Sequence, residues 1–239
     1  MSGNLLDIDD LNVDYADTPI LRGVCVIVGQ GEIVGVVGES GSGKSTLIYS
    51  VLGLLGGGGG IKSGRVFFEG SERTKLPPER MRQLRGCKLA LIAQNPVQSF
   101  QPVRKIRDQL WELVTSHHAH SQQLCFELSG GLCQRASIAR AICVSSRLLI
   151  CDEITSALDV SIQAQIIELL KQLRRGLQLS ALFISHDLAL VQGICDRILV
   201  VLDGIIVEEG SVRDVLTTPK HSYTRLLLGS VFEVGCSFQ

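Results

Sequence analysis

The chain has 239 residues, 45% hydrophobic and 20% charged, which suits one large domain with a buried core. Its 23 Lys and Arg residues nearly balance 24 Asp and Glu residues, and the net charge of −1 argues against nucleic acid as a main partner. The longest apolar stretches are far shorter than a membrane span and the acidic N-terminus has no signal-peptide pattern, so we expect a chain that is soluble or attached to a membrane through other subunits.

The first predicted elements are strands within residues 5–28, separated by a turn at residues 16–19. Residues 11–15 alternate apolar and polar side chains and end in Tyr15, which predicts a half-exposed strand. Residues 32–37 form a short apolar run that predicts a buried strand, and residues 47–52 predict a helix.

The segment between this strand and this helix fits the phosphate-loop pattern, in which two glycines flank four residues and are followed by Lys and Ser. Glycines let backbone N–H groups turn towards phosphate oxygens, and the start of a helix adds partial positive charge. Lys44 would contact the outer phosphates, and the Ser45 hydroxyl would hold Mg²⁺. A glycine-rich turn before an ordinary helix is the alternative. The sequence therefore predicts a nucleoside triphosphate site at Gly38, Glu39, Ser40, Gly41, Ser42, Gly43, Lys44, Ser45 and Thr46.

The next stretch of the chain mixes short strands with a helix. The five glycines at residues 56–60 predict a break after the first helix and a flexible connection. Residues 65–70 predict a strand and residues 77–84 a short helix. Residues 88–93 predict a buried strand that leads into Gln94.

Residues 103–125 have the weakest pattern. Ile106, Leu110, Leu113 and Val114 fall on one face of a predicted helix. The histidines after them could bind a metal, but we expect a solvated loop; they are His117, His118 and His120.

The second half of the chain alternates helices and strands. Residues 129–142 open with two glycines and predict a helix. Residues 147–153 predict a buried strand that ends in Asp152 and Glu153. Asp159 is predicted to cap a helix that ends at Gly176.

The last predicted elements are a strand at residues 182–186 and two short strands around a hairpin turn at Asp203-Gly204. A polar segment is predicted to close the chain. The alternation of strands and helices predicts an α/β fold with a mainly parallel sheet and antiparallel strands at the front. The eight cysteines form no CxxC pair, and we expect most of them to be small buried hydrophobes.

Two further motifs narrow the chemistry. The strand that ends in Asp152 and Glu153 resembles a Walker B motif, and two surface acids after a strand are the alternative. The resemblance implies that Asp152 would hold Mg²⁺ through water and that Glu153 would orient and deprotonate the attacking water. Leu128-Ser129-Gly130-Gly131 lies between the phosphate loop and this acidic pair, and it resembles the signature motif of ATP-binding-cassette (ABC) ATPases. A serine hydroxyl, glycine N–H groups and a helix dipole are suited to an anion.

On these motifs the chain resembles ABC ATPases over nearly its whole length. The resemblance implies that Gln94 is the Q-loop glutamine near Mg²⁺ and water, that Asp159 closes the D-loop, and that His186 is the switch histidine at the γ-phosphate. It implies an adenine-stacking role for Tyr15. It also implies that ATP bound to one subunit is contacted by Ser129, Gly130 and Gly131 of another.

The resemblance implies an ABC-type P-loop NTPase domain spanning residues 1–239. Its RecA-like mixed sheet and antiparallel β subdomain would occupy residues 1–93 and 143–239, and a short helical subdomain residues 94–142. ATP and Mg²⁺ are the implied cofactors, with Mg²⁺ held by Ser45, Gln94 and Asp152. The implied partners are a second ABC ATPase subunit, two membrane permeases and, indirectly, an extracytoplasmic substrate-binding protein. The implied location is the cytoplasmic face of the inner membrane.

Several segments resemble the peptide and nickel importer branch of the family, among them residues 94–96, 99–102 and 219–225. The short C-terminus favours nickel import as the main hypothesis, with dipeptide or oligopeptide import as the alternative. A non-transport ABC ATPase and a non-hydrolysing partner cassette are less favoured. Leu132, Cys133 and Ile154 depart from the usual residues. The segment from Gln94 to Gly131 is also shorter than usual, which predicts a trimmed helical subdomain unless residues are omitted from the sequence.

Overall fold

The computed structural model describes residues 3–101, 103–106, 108–109, 129–143, 146–156 and 158–234. The strands are β1 (Leu6–Tyr15), β2 (Thr18–Val28), β3 (Ile33–Val37), β4 (Gly59–Phe68), β5 (Ser71–Glu72), β6 (Leu89–Ile92), β7 (Leu148–Asp152), β8 (Ser180–Ile184), β9 (Arg197–Leu202) and β10 (Ile205–Ser211). The helices are α1 (Lys44–Leu52), α2 (Pro78–Cys87), α3 (Gly130–Cys143), α4 (Val160–Leu177), α5 (Leu188–Ile194), α6 (Val212–Thr217) and α7 (Ser222–Val234), with a 3₁₀ turn at Pro96–Ser99.

The central sheet has six strands in the order β10-β9-β3-β8-β7-β6. Its strands are parallel except for β10, which pairs antiparallel with β9 through the predicted hairpin. Strand β3 is buried along its whole length because both faces of the sheet are covered. Ile33 and Val37 pack with the helices α3 to α7, whereas Val34 and Val36 pack with α1 and the second sheet.

The second sheet is antiparallel and has the order β2-β1-β4-β5. Its inner side chains join those of α1 and the central sheet in one core cluster. The predicted division into a mainly parallel core and an antiparallel front is therefore confirmed.

The parallel arrangement positions the predicted functional residues. The carboxyl ends of β3, β6, β7 and β8 lie at one edge of the sheet. The phosphate loop, Gln94, the acidic pair and His186 directly follow these four strand ends. Ligands of open α/β sheets bind at this edge.

Several sequence-based predictions differ from the structure in detail. The glycines do not all form a flexible connection, because Gly59 and Gly60 begin β4 and pair with β1. Helix α4 passes through Gly176 and ends at Leu177, with Gln178 in the left-handed conformation at φ 50°. Asp159 stands at the N-cap of α4, but its side chain makes no capping hydrogen bond.

The C-terminal part of the chain was predicted only to be polar, and it contains regular structure. It folds into α6 and α7, and α5 was also unpredicted. Tertiary packing explains these short helices, since Val191, Val212, Tyr223 and Leu228 are buried in the main core cluster.

The predicted helical subdomain stays a prediction. Within it the structure describes α3, the 3₁₀ turn and a few residues that include buried Ile106. The other predicted helix residues and the histidine cluster lie outside the described residues: Leu110, Leu113, Val114, His117, His118 and His120.

Candidate nucleotide site

The phosphate loop leads from β3 into α1 and is held in place by close backbone contacts. Gly38 has a φ of 151°, and a Cβ there would lie 2.2 Å from the Val201 carbonyl oxygen. No other residue type would let the loop approach β9 so closely. The Gly204 N–H in the β9–β10 turn donates to the Ser42 carbonyl at 2.9 Å. The turn therefore supports the loop from behind.

Lys44 is buried at the start of α1, with 6% of its surface exposed. Its Nζ donates to the carbonyl oxygens of Gly38 at 2.7 Å and Glu39 at 2.6 Å. Burial lowers the pKa of Lys44, while the charges of Glu153, Asp152 and Glu39 act to raise it. These carboxylates therefore stabilise the charged ammonium, which is the form that attracts phosphate.

Asp152 is the last residue of β7 and Glu153 follows it, as predicted. Burial raises the pKa of Asp152, the neighbouring Glu153 charge raises it further, and Lys44 acts in the opposite direction. Glu153 takes a positive φ of 46°, and its N–H donates to the Ile184 carbonyl at 3.1 Å. A non-glycine residue with positive φ is uncommon and often stands at a functional site. The sharp turn places the Glu153 carboxylate beside β8.

Two predicted side chains reach the Glu153 carboxylate from neighbouring strand ends. Gln94 Nε2 donates to Glu153 Oε2 at 3.2 Å, and His186 Nδ1 lies 3.6 Å from Glu153 Oε1. The Glu153 side chain is 25% exposed and that of His186 is 64% exposed, so water reaches both. The arrangement fits a carboxylate that orients a water molecule and accepts its proton.

The oxygen-rich edge also fits Mg²⁺. This ion prefers hard oxygen ligands and usually combines one or two carboxylates with phosphate oxygens and water. Ser45 and Asp152 offer a hydroxyl and a carboxylate, and the charge of Glu153 already disfavours a second negative charge on Asp152. Among the described residues, no group of three or more His, Cys, Asp or Glu side chains is arranged to hold a metal. A Mg²⁺ ion here would therefore depend on nucleotide oxygens as well.

The signature residues form the start of α3. The Ser129 carbonyl accepts from the Cys133 N–H at 2.9 Å, and Ser129 and Gly130 are exposed. A Cβ on Gly131 would lie 2.7 Å from Ile162 Cγ2 of α4, so glycine is needed for this packing. The described hydrogen bonds of Ser129 stay within α3. Ser129 and Gly130 are therefore accessible from solvent.

Tyr15 lies at the end of β1, at some distance in sequence from the other site residues. Its ring packs against the backbone of β4, where a Cβ on Gly59 would meet Tyr15 Cε1 at 2.6 Å. Tyr15 also packs at the edge of the core cluster that contains α1. The adenine-stacking role of Tyr15 stays a prediction.

Sequence reasoning missed two residues that contact this site. Ser156 Oγ donates to the Glu153 carbonyl at 2.9 Å and accepts from Gln94 Nε2 at 3.2 Å. Tyr223 Oη accepts from the Glu39 N–H at 2.9 Å. Ser156 stands three residues before Asp159, and Tyr223 lies in residues 219–225, but the local sequence assigns neither residue a role.

The prediction that most cysteines are buried is only partly met among the described residues. Cys133, Cys151 and Cys195 are buried and Cys143 is half-buried, but Cys25 and Cys87 are exposed. Burial raises the pKa of Cys151 and Cys195, which makes both poor thiolates.

Comparison with known proteins agrees with this geometry. The family model described as ABC transporter matches residues 21–156. The dipeptide transport ATP-binding protein DppD of Haemophilus influenzae is 38% identical over 257 residues, covering 96% of this chain and 78% of that protein. The oligopeptide transport ATP-binding protein OppD of Bacillus subtilis is 36% identical over 256 residues, covering 95% and 72%. An alignment longer than the chain's 239 residues means that these relatives contain residues with no counterpart here.

A solved structure has the same fold. It is described as the dimeric post-hydrolysis state of the ATP-binding cassette MJ0796 bound to ADP and phosphate. Its TM-score is 0.75 at 22% sequence identity, and the match covers 87% of this chain and 99% of that one. The likeness confirms the predicted fold class.

Proposed function

Because the chain belongs to the ABC transporter family, we propose that it is the ATP-hydrolysing subunit of an importer for dipeptides or oligopeptides. The site supports hydrolysis through one observation above all: Glu153 lies between Gln94 and His186 at the sheet edge that carries the phosphate loop. A non-hydrolysing cassette would not need this arrangement. Hydrolysis would release ADP and phosphate from ATP.

Each residue of the site has a separate role in ATP hydrolysis. The loop N–H groups and Lys44 bind the phosphates, and Ser45 and Asp152, with Gln94 through water, would hold Mg²⁺. When bound, the ion would neutralise phosphate charge. Glu153 orients the attacking water and takes its proton, and His186 contacts the γ-phosphate.

We place a second cassette opposite the phosphate loop. The exposed Ser129 and Gly130 at the start of α3 offer a hydroxyl and N–H groups to an anion outside their own subunit. Asp159 is exposed at the start of α4 and would face the same partner. The dimeric form of the solved structure with this fold supports the proposal. The partner is a second copy or a paralogous cassette.

The complete importer would also contain two membrane permeases and an extracytoplasmic binding protein. No helix in the described part of the chain is long and apolar enough to cross a membrane. The chain would bind the permeases at the cytoplasmic face of the membrane and drive them by closing on ATP and opening after hydrolysis.

Peptide is the better-supported cargo, and the nickel hypothesis from the sequence gains no support. The relatives described above are named as dipeptide and oligopeptide transport proteins. The alternative of the sequence analysis therefore replaces its main hypothesis. Proteins with one fold can serve many different functions, so the fold does not identify the cargo. Uptake therefore has to be measured.

Hydrolysis is tested with Glu153→Gln in the cassette assembled with its partner subunits. We expect the rate of phosphate release to fall about 100-fold or more, because a general base contributes roughly that much. Glu168→Gln makes the same chemical change on an exposed face of α4 and should leave the rate unchanged. Equal rates for Glu153→Gln and the wild type would refute the assignment of the base.

Cargo is tested by uptake into cells that lack this chain and carry a wild-type or Glu153→Gln copy. We expect labelled di- and oligopeptides to enter only with the wild-type copy, and nickel accumulation to be the same in both. Loss of nickel uptake with intact peptide uptake would return the nickel hypothesis to first place.

A further inference from the structure

Residues 219–225, with the sequence Pro-Lys-His-Ser-Tyr-Thr-Arg, form a folded segment that we call the clasp. The Glu208 carboxylate on β10 accepts from the N–H groups of Lys220 at 2.8 Å and His221 at 2.9 Å. Burial acts to raise the pKa of Glu208, but these hydrogen bonds outweigh it and the pKa lies below its ordinary value. The carboxylate therefore stays charged and holds the clasp at neutral pH.

The clasp is closed on its other side by Arg225. Its guanidinium donates to the carbonyl oxygens of Lys220 at 2.9 Å and Pro219 at 3.2 Å. The Tyr223 N–H donates to Nδ1 of His221 at 3.2 Å. The backbone on both sides of Tyr223 is thus fixed by hydrogen bonds that need no contact with the nucleotide site.

The clasp delivers Tyr223 to the phosphate loop across a long sequence separation. The ring is 9% exposed and packs in the main core cluster. Its Oη accepts from the N–H of Glu39, the second residue of the loop, at 2.9 Å. Packing alone would need no hydroxyl at this position.

Tyr223 and Lys44 hold the same peptide group, the one that joins Gly38 and Glu39, from opposite ends. The peptide that joins Gly38 and Glu39 has its N–H on Tyr223 Oη and its carbonyl oxygen on Lys44 Nζ at 2.7 Å. Because Gly38 has no Cβ, steric limits on its ψ, the rotation that orients this peptide, are weak. The two side-chain hydrogen bonds therefore restrain the orientation of the peptide.

We propose that Tyr223 is a positioning residue for ATP, which holds the Gly38–Glu39 peptide so that the loop is preformed when the phosphates arrive. The proposal rests on the proposed function only in taking ATP as the ligand. A preformed loop binds tightly because less freedom is lost on binding. Tyr223 touches neither the phosphates nor the water, so it acts through the loop on affinity and not on the chemical step.

The test is Tyr223→Phe in the full chain, with Ser222→Ala as the control inside the clasp. A ribose-labelled fluorescent ATP gives the dissociation constant of the chain alone, and phosphate release with partner subunits gives KM and kcat. We expect Tyr223→Phe to weaken binding and raise KM about threefold to tenfold, the worth of one hydrogen bond. We expect kcat at saturating ATP and all constants of Ser222→Ala to stay within about twofold.

A second variant covers the case in which Tyr223→Phe does not fold. Glu208→Gln keeps the tyrosine but weakens the clasp, and we expect a smaller rise in KM in the same direction. An unchanged KM in the folded variant would overturn the proposal. So would a parallel loss of kcat, nucleotide binding and melting temperature, because that result means that Tyr223 only packs. Both results leave the proposed function standing, whereas a wild-type chain that binds no ATP refutes the function itself.

Discussion

Gly204→Ala tests the support that the β9–β10 turn gives to the phosphate loop. Gly204 has a φ of 78°, and a Cβ there would lie 1.9 Å from the carbonyl oxygen of Ile20 on β2. The Gly204 carbonyl also accepts from the Arg22 N–H at 2.9 Å. Alanine at this position must therefore push β2 and the turn apart. This movement would displace the backbone N–H of residue 204 from the Ser42 carbonyl.

Two free-energy costs of the Gly204→Ala substitution add up and lower the stability of the fold. Alanine in the left-handed conformation costs about 1–2 kcal/mol. Overpacking against a rigid backbone adds about 1–3 kcal/mol. A domain of this size loses roughly 2–4 °C of Tm per kcal/mol, so Gly204→Ala should lower Tm by about 4–20 °C.

Gly70→Ala is the matched control. Gly70 has a φ of 71°, but a Cβ there would meet nothing within 4 Å. It should therefore carry only the conformational cost and lower Tm by about 2–8 °C. Melting curves of both variants without nucleotide, followed by measurement of KM for ATP, separate the terms.

KM for ATP is the second quantity to compare between Gly204→Ala and Gly70→Ala. We expect Gly204→Ala to raise KM for ATP, because Ser42 lies within the phosphate loop, and Gly70→Ala to leave it unchanged. Equal Tm losses in the two variants would mean that the close approach to Ile20 carries no cost. Equal KM values would mean that the turn does not support the loop.

Two further predictions concern the other missed or buried contacts of the site. Ser156→Ala removes the donor to the Glu153 carbonyl and the acceptor for Gln94, so kcat for ATP hydrolysis should fall about threefold to tenfold with little change in KM, and Ser156→Thr should restore it. Gly131→Ala would place Cβ 2.7 Å from Ile162 Cγ2 and displace the start of α3, so ATP-dependent association measured by light scattering should weaken. Ile162→Ala in the same chain should restore association, and a failure of this rescue would show that the added methyl group disturbs the partner and not α4.

The nucleotide site could be predicted from the sequence because its residues follow strand ends within recognisable local patterns. The phosphate loop needs glycines and a lysine in a fixed order. The acidic pair after an apolar run marks the end of β7, which is separated from β3 by β8 in the sheet. Once the strands are parallel, these ends must meet. The contact between Gln94 and Glu153 then follows from topology, although the hydroxyl of Ser156 between them does not.

The elements that the sequence failed to predict owe their form to distant contacts. Gly59 and Gly60 have low strand propensity, yet they begin β4 and pair with Tyr15 and Asp14 of β1. Gly176 is exposed, and the helix continues past it for one residue before Gln178 takes the left-handed conformation. At the two strand glycines, pairing with β1 overrides a local preference worth about 1 kcal/mol.

The clasp shows that contacts between residues far apart in sequence add residues outside the recognised motifs to the nucleotide site. The structure of residues 219–225 could not be predicted from the local sequence, because their hydrogen bonds run to Glu208 on another element and to their own backbone. Tyr223 meets the loop only after the β9–β10 hairpin and α6 have brought the chain back across the sheet. The turn at Gly204 and the clasp both contact the backbone of the phosphate loop. We therefore expect a change in residues 219–225 to alter ATP affinity without altering any residue that would contact the nucleotide.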